Sequence, residues 1–170
     1  MHLFLGLGEG ALEQSRHYTL NESRPWFRSG AEQANQDPYT LLHYGEFFVG
    51  LESVRLLARN AAELFDAAWS RGEALDAQQR GQLAVAIAAA KVASTRVGLE
   101  VSSRFFETTG ARATHGALRL DRFWRNLRTQ TLHDPVDYKL KEKAADAIIA
   151  ALSVQKLFSG EKSFTWDSEQ

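Results

Sequence analysis

Only three prolines interrupt the 170 residues, at positions 25, 38 and 135. Each stands where a helix can begin or a loop can turn. Proline's fixed φ and missing N–H suit a first helical turn and disrupt a later one. Alternating β-branched runs are absent, while Ala and Leu are abundant. The chain is therefore expected to be all-α, an antiparallel helical bundle of long elements joined by short connections.

The first helix is expected from about Leu3 to Thr19. No capping side chain precedes it, since Met1 and His2 lead straight into apolar residues. A helix start usually carries Ser, Thr, Asp or Asn there. The missing cap suggests a chain that begins partway through a larger protein, or a helix that frays at a free end. Gly6, Gly8 and Gly10 lie within this helix, not after a strand, and are read as close-packing positions. Residues 21–36 are polar and turn-rich, a loop. Asp37-Pro38 restarts a helix, with Tyr44, Phe48, Leu51, Ala58, Ala62 and Phe65 at helical spacing through about Trp69. A break follows at Arg71-Gly72, and Asp76 with Gln79 has capping-box spacing. The next helix carries Leu83, Ile87, Ala90, Val97, Val101 and Phe105 on one side and is expected to end at Gly110. A shorter helix is expected over Gly116–Arg128. Asp134-Pro135 opens a last one, with Leu140, Ala144, Ile148 and Ala151 inward, before a polar tail.

Charge and cysteine content exclude some chemistry. There are 20 Lys+Arg against 21 Asp+Glu, a net charge of −1, which argues against a general nucleic-acid binder. With no cysteine, disulfides, thiolate metal sites and cysteine nucleophiles are ruled out. That content suits a reducing cytoplasm. No signal peptide is recognisable, and the small apolar run Leu83–Ala90 is too short for a membrane span. His2, His17, His43 and His115 show no metal-ligand spacing with carboxylates, so no metal is expected. No nucleotide-binding or serine-hydrolase motif occurs.

The informative stretch runs from Phe105 to Tyr138. Within it, Arg112, Arg119, Arg122, Arg125 and Arg128 lie in seventeen residues, against Asp121 alone. Such a group can hold an anion such as a cofactor phosphate. For the group as a whole, a solvated, salt-bridged helix face is the simpler account. Arg112 stands apart, following Gly110 in a loop where backbone and guanidinium can converge on phosphate. A basic recognition helix is a further reading, but Phe123 and Trp124 fit core packing better. His133 precedes Asp134-Pro135, at the expected mouth of a helix N-terminus, where a neutral imidazole could accept a proton or hydrogen-bond a reactive oxygen. Capping of that helix is the plainer role. Arg24, alone, is a surface arginine.

Together, SRPW (23–26), FFETTGARAT (105–114) and DRFWRNLRTQTLHDPVDYK (121–139) resemble the carboxy-terminal domain of the acyl-CoA dehydrogenase superfamily. More narrowly, they are similar to its flavin-dependent monooxygenase branch, the dibenzothiophene monooxygenase-like enzymes. The resemblance runs from the first helix to about Phe158. It implies one helical domain over residues 1–158 and a tail over 159–170, with the family's amino-terminal helical and middle β-domains absent. The glutamate-base motif of ordinary acyl-CoA dehydrogenases is missing; the comparable turn reads Thr131-Leu132-His133-Asp134-Pro135. The resemblance therefore implies oxygenation of a small organic substrate through a flavin C4a-hydroperoxide, with reduced FMN supplied by a flavin reductase. FAD is the alternative cofactor.

His133 would be the catalytic residue. Arg24 and Arg112 would hold the flavin phosphate, with different subunits of a homo-oligomer able to supply them. Arg128 and Gln130 would join the cofactor contacts. Many members of the branch carry a second histidine where Gln130 stands; glutamine hydrogen-bonds but is no base. Two other functions are compatible with the residues: an acyl-CoA dehydrogenase-type oxidoreductase domain, and a non-catalytic helical assembly module. Neither a nucleic acid nor a membrane is expected as a partner.

Overall fold

A computed structural model of the chain describes residues 1–133 and 135–141. Four long helices dominate: α1 (His2–Asn21), α2 (Pro38–Arg71), α3 (Ala77–Thr109) and α4 (Arg122–His133). A short helix, α5 (Val136–Lys139), follows, and no strand occurs among the described residues. No helix among them is long and apolar enough to cross a membrane. The inward positions expected at 144, 148 and 151, the cap at Asp134 and the tail over 159–170 lie outside the described residues.

Local signals explain the boundaries. Asp37 caps α2 by accepting from the backbone N–H groups of Tyr39 and Thr40, with Pro38 at the first helical position. Asp76 and Gln79 form a reciprocal capping box at the start of α3. Gly110 ends α3 at φ 78°, a conformation that favours glycine. No side chain caps α1.

Two expectations shift. The loop over 21–36 contains a single 3₁₀ turn, Ala34–Gln36. The helix expected over Gly116–Arg128 begins only at Arg122. Gly116–Leu118 forms a separate 3₁₀ turn, and Arg119 is left-handed (φ 53°). That reversal buries Leu120.

The helices alternate in direction. Thr19 of α1 meets Tyr44 of α2, and Gly8 meets Leu51, so α1 and α2 are antiparallel. Gly50 lies against Val97, and the Arg104 guanidinium covers the Phe47 ring, so α2 and α3 are antiparallel too. Consequently α1 and α3 run parallel. They cross where Gly8 and Gly98 come together; a Cβ on Gly8 would stand 3.6 Å from the Gly98 Cα. α4 returns antiparallel to both, with Phe123 on Gly10 and Leu127 on Gly98. Gly8 and Gly10 thus serve close packing, whereas Gly6 faces open space.

Leu5, Ala11, Phe47, Leu51, Val54, Val101, Phe105 and Phe123 form the core. Phe105 and Leu127 are fully enclosed. Truncating such a phenylalanine costs about 3–5 kcal/mol. Phe47 fills the place in α2 that the spacing gave to Phe48, and Phe48 and Phe65 are exposed.

Candidate active site

Two groups of candidate residues lie at opposite ends of the bundle. The first is built where α1 and α3 end side by side. The Thr19 hydroxyl donates to the Thr108 carbonyl (3.3 Å) and lies 2.8 Å from the Tyr44 hydroxyl. The Ser23 hydroxyl donates to the Thr109 carbonyl at 3.2 Å. These bonds satisfy helix-end carbonyls that have no partner within their own helix. They also fix the start of the loop that carries Arg24.

Gly110 then turns the chain into the 3₁₀ turn Ala111–Thr114, which carries Arg112. Arg112 Nη2 donates to the Glu22 carbonyl at 2.9 Å. Arg24 and Arg112 are thereby brought to one corner, although 88 residues apart in number (112 − 24).

The chemistry of this donor set fits a phosphate. Arg16, Arg55, Arg104 and Arg125 are each held by carboxylates. Among the described residues neither Arg24 nor Arg112 has a carboxylate partner. Both are exposed, so their guanidinium groups keep donors for an oxyanion. The expected arginine stripe therefore divides by role. Arg125 pairs with Asp121, and Arg122 lies over the Phe123 ring while donating to the Arg119 carbonyl.

The second group is Arg128, Gln130 and His133, all exposed on α4. His133 is the last residue of α4, so it lies at a helix carboxyl end. The short helix α5 begins at Val136 with Pro135 as its N-cap, so His133 also precedes a helix N-terminus, as expected. α4 was expected to end at about Arg128 and continues to His133. Leu127 touches Gly98, and α4 runs back toward the start of α1. His133 is six residues beyond Leu127, roughly 9 Å of rise, while Thr109 is eleven beyond Gly98 in the opposite direction, roughly 16 Å. The arginine corner and His133 are thus on the order of 25 Å apart along the bundle. The structure brings Arg24 to Arg112 but neither to His133.

Residues without a sequence signal also border these places. Asn35 and Thr95 each hold a buried side-chain oxygen without a hydrogen-bond partner among the described residues. Thr95 is one turn from the Gly98–Leu127 contact, toward the His133 end. Lys91 is a further turn along; burial, then the charge of Lys139, lowers its pKa. A groove of about 350 Å³ lined by Leu12, Leu20, Asn35, Leu41, Tyr44 and Phe48 opens between α1 and α2. No group of metal-ligating side chains occurs among the described residues.

A bundle of this topology, with an arginine corner where α1 and α3 end, defines an all-α helical domain with one basic corner. The family model for the acyl-CoA dehydrogenase C-terminal domain matches residues 2–138, and the chain belongs to that family. It is 65% identical over 141 residues to the probable FMNH2-dependent monooxygenase SfnC of Pseudomonas putida, covering 83% of this chain and 36% of that protein. It is 51% identical over 140 residues to dibenzothiophene monooxygenase of Mycolicibacterium goodii, covering 82% and 34%. The structure of methanesulfinate monooxygenase MsuC from Pseudomonas fluorescens superposes with a TM-score of 0.83 at 60% identity, covering 86% and 38%. The chain spans about a third of the length of the curated relatives it matches.

Proposed function

We propose that the chain is the carboxy-terminal, flavin-binding and oligomer-forming domain of an FMN-dependent monooxygenase that oxygenates a small organic substrate in the cytoplasm. A flavin reductase supplies its reduced FMN. The observation that carries this is 65% identity, over 83% of the chain, to a probable FMNH2-dependent monooxygenase. The helical domain covers residues 1–158 in this reading, with 159–170 as its tail.

The residues divide the work by chemistry. Arg24 and Arg112 hold the phosphate dianion, the second braced by its bond to the Glu22 carbonyl. At the other end, His133 holds or moves a proton at the reacting oxygen. Arg128 and Gln130 hydrogen-bond the cofactor beside it; Gln130 both donates and accepts but moves no proton. Bound reduced FMN supplies the electrons that activate oxygen. The ribityl linker of one FMN is much shorter than the distance between the corner and His133. Each complete site therefore takes its phosphate corner from one copy and its histidine from another.

Titrating the purified chain with FMN, followed by flavin fluorescence, tests the phosphate corner. Saturable quenching is expected, with Arg112→Ala weakening it at least about tenfold, the scale of a lost charge-assisted bond. Binding that is equally tight in the variant would overturn that role. In the complete enzyme, His133→Ala is expected to lower oxygenation about 10²-fold or more while leaving FMN affinity nearly unchanged. Undiminished turnover would remove His133 from the chemistry.

A further inference from the structure

His133 stands where α4 gives way to α5, and one charged side chain of α3 is level with it. Gly98 of α3 touches Leu127 of α4, and the two helices run antiparallel. Lys91 is seven residues before Gly98, roughly 10 Å of rise, and His133 is six beyond Leu127, roughly 9 Å. The two residues are therefore level on neighbouring helices to within about one residue's rise. Lys91, Thr95 and Gly98 also share one face of α3, because residues three, four and seven apart line up on a helix. That is the face on which α4 lies.

Two other elements close around the same place. α5 packs against α3, and the charge of Lys139 on α5 is felt at Lys91. Burial first, and then the charge of Lys91, lowers the pKa of the Met1 amino group at the start of α1. Lys91 is thus bracketed by the beginning of α1, the end of α4 and the start of α5.

Helix chemistry says what an ammonium does there. The last four carbonyls of a helix have no partner within it, and the helix dipole makes that end negative. A lysine beside it hydrogen-bonds those carbonyls and offsets the dipole. Lys91 is partly buried, and burial, ahead of the charge of Lys139, lowers its pKa. The fold therefore keeps a cation where desolvation disfavours it, although an apolar side chain would pack there at less cost. Thr95, one turn away on the same face, is 5% exposed, and its hydroxyl has no hydrogen-bond partner among the described residues. The longer lysine is the polar group on this face with the reach to hold α4.

We infer that Lys91 is a positioning residue for His133: its ammonium holds the carboxyl end of α4 and so fixes where the imidazole stands. The catalytic consequence rests on the proposed role of His133; the hold on α4 does not.

Lys91→Met keeps the unbranched stem and removes the charge, whereas Lys91→Arg keeps a charge. In this chain, amide hydrogen exchange at Leu132 and His133 is expected to speed up roughly tenfold in Lys91→Met, the scale of a cation lost from a partly buried helix end. Lys91→Arg is expected to exchange near the original rate. Exchange at Val101 and Phe105, farther along α3, is expected to be unchanged in both. In the complete enzyme, Lys91→Met is expected to lower kcat about tenfold or more, with KM and FMN affinity nearly unchanged, because the arginine corner lies at the other end. Lys91→Arg is expected to restore most of that loss. Unaltered exchange at residues 132 and 133 in Lys91→Met would overturn the inference. So would an arginine variant as impaired as the methionine one, which would assign Lys91 to packing alone. Full turnover in Lys91→Met beside lost turnover in His133→Ala would overturn it as well. Faster exchange with full turnover in both of those variants would instead remove His133 from the chemistry and keep the hold on α4.

Discussion

At the residue scale, glycines separate packing from chain geometry. Gly98 stands where α1, α3 and α4 converge. A Cβ there would meet the Phe4 carbonyl oxygen and Leu127 Cδ2, both at 3.3 Å. The carbonyl is backbone and has little room to yield. Gly98→Ala is expected to destabilise the fold by about 1–3 kcal/mol, outweighing the helix propensity that alanine adds. Gly6 is the control: it lies in α1, where a Cβ would meet nothing. Gly6→Ala is expected to stabilise by about 0.5–1 kcal/mol. Paired thermal melts check both; equal shifts would show that the crossing at Gly8–Gly98 is looser than described. Gly110 is different again. Its positive φ sets the turn that carries Arg112, so Gly110→Ala is expected to weaken FMN binding as well as stability. Affinity equal to that of the unaltered chain would separate the turn from the phosphate corner.

At the scale of elements, the ends of helices were legible and their faces less so. Asp37-Pro38, the Asp76–Gln79 box and Gly110 mark boundaries by local chemistry, and the structure places them there. Which phenylalanine of Phe47-Phe48 enters the core was not legible. α2 is apolar on two sides, so spacing alone gives no unique inward direction. The start of α4 was obscured in another way. Arg119 adopts a left-handed conformation that no glycine or asparagine announces, and α4 then runs on to His133, between its own carboxyl end and the start of α5.

The α2–α3 pair also carries a clamp unseen in sequence. Arg104 lies over the Phe47 ring and binds Glu46, Glu100 and Glu107, with His43 Nδ1 at 3.0 Å from its Nη2. The hydrogen bond from Arg104 lowers the Glu46 pKa below its ordinary value of 4.5. A carboxyl held lower in the folded state adds stability above that ordinary value, and the gain is lost as pH falls through the folded one. Glu46→Gln is therefore expected to lower the melting temperature at neutral pH, with the difference shrinking as pH drops below about 4.5. A difference independent of pH would assign the loss to packing instead.

At the scale of the whole molecule, the two halves of the site were visible in the sequence only as a list of residues. Their separation required the direction of α4. Leu127 on Gly98 and Phe123 on Gly10 send His133 toward the start of α1, while Thr19, Ser23 and Arg112 gather at its end. A rigid bundle cannot fold one end onto the other, so the proposed roles of Arg112 and His133 require a site shared between copies. In the enzyme that carries this domain, Arg112→Ala and His133→Ala are each expected to abolish most oxygenation alone. Mixed subunits behave otherwise. A pair with one copy of each variant has one site with both defects and one with neither. Random reassociation of equal amounts restores about one site in four, a proportion set by two-fold pairing alone. Recovery of about a quarter of the unaltered activity after unfolding and co-refolding is the expected result. No recovery beyond the two variants assayed separately would place both halves of the site in one copy. The path of α4 in the assembled enzyme would then have to differ from the one that Gly10 and Gly98 set here.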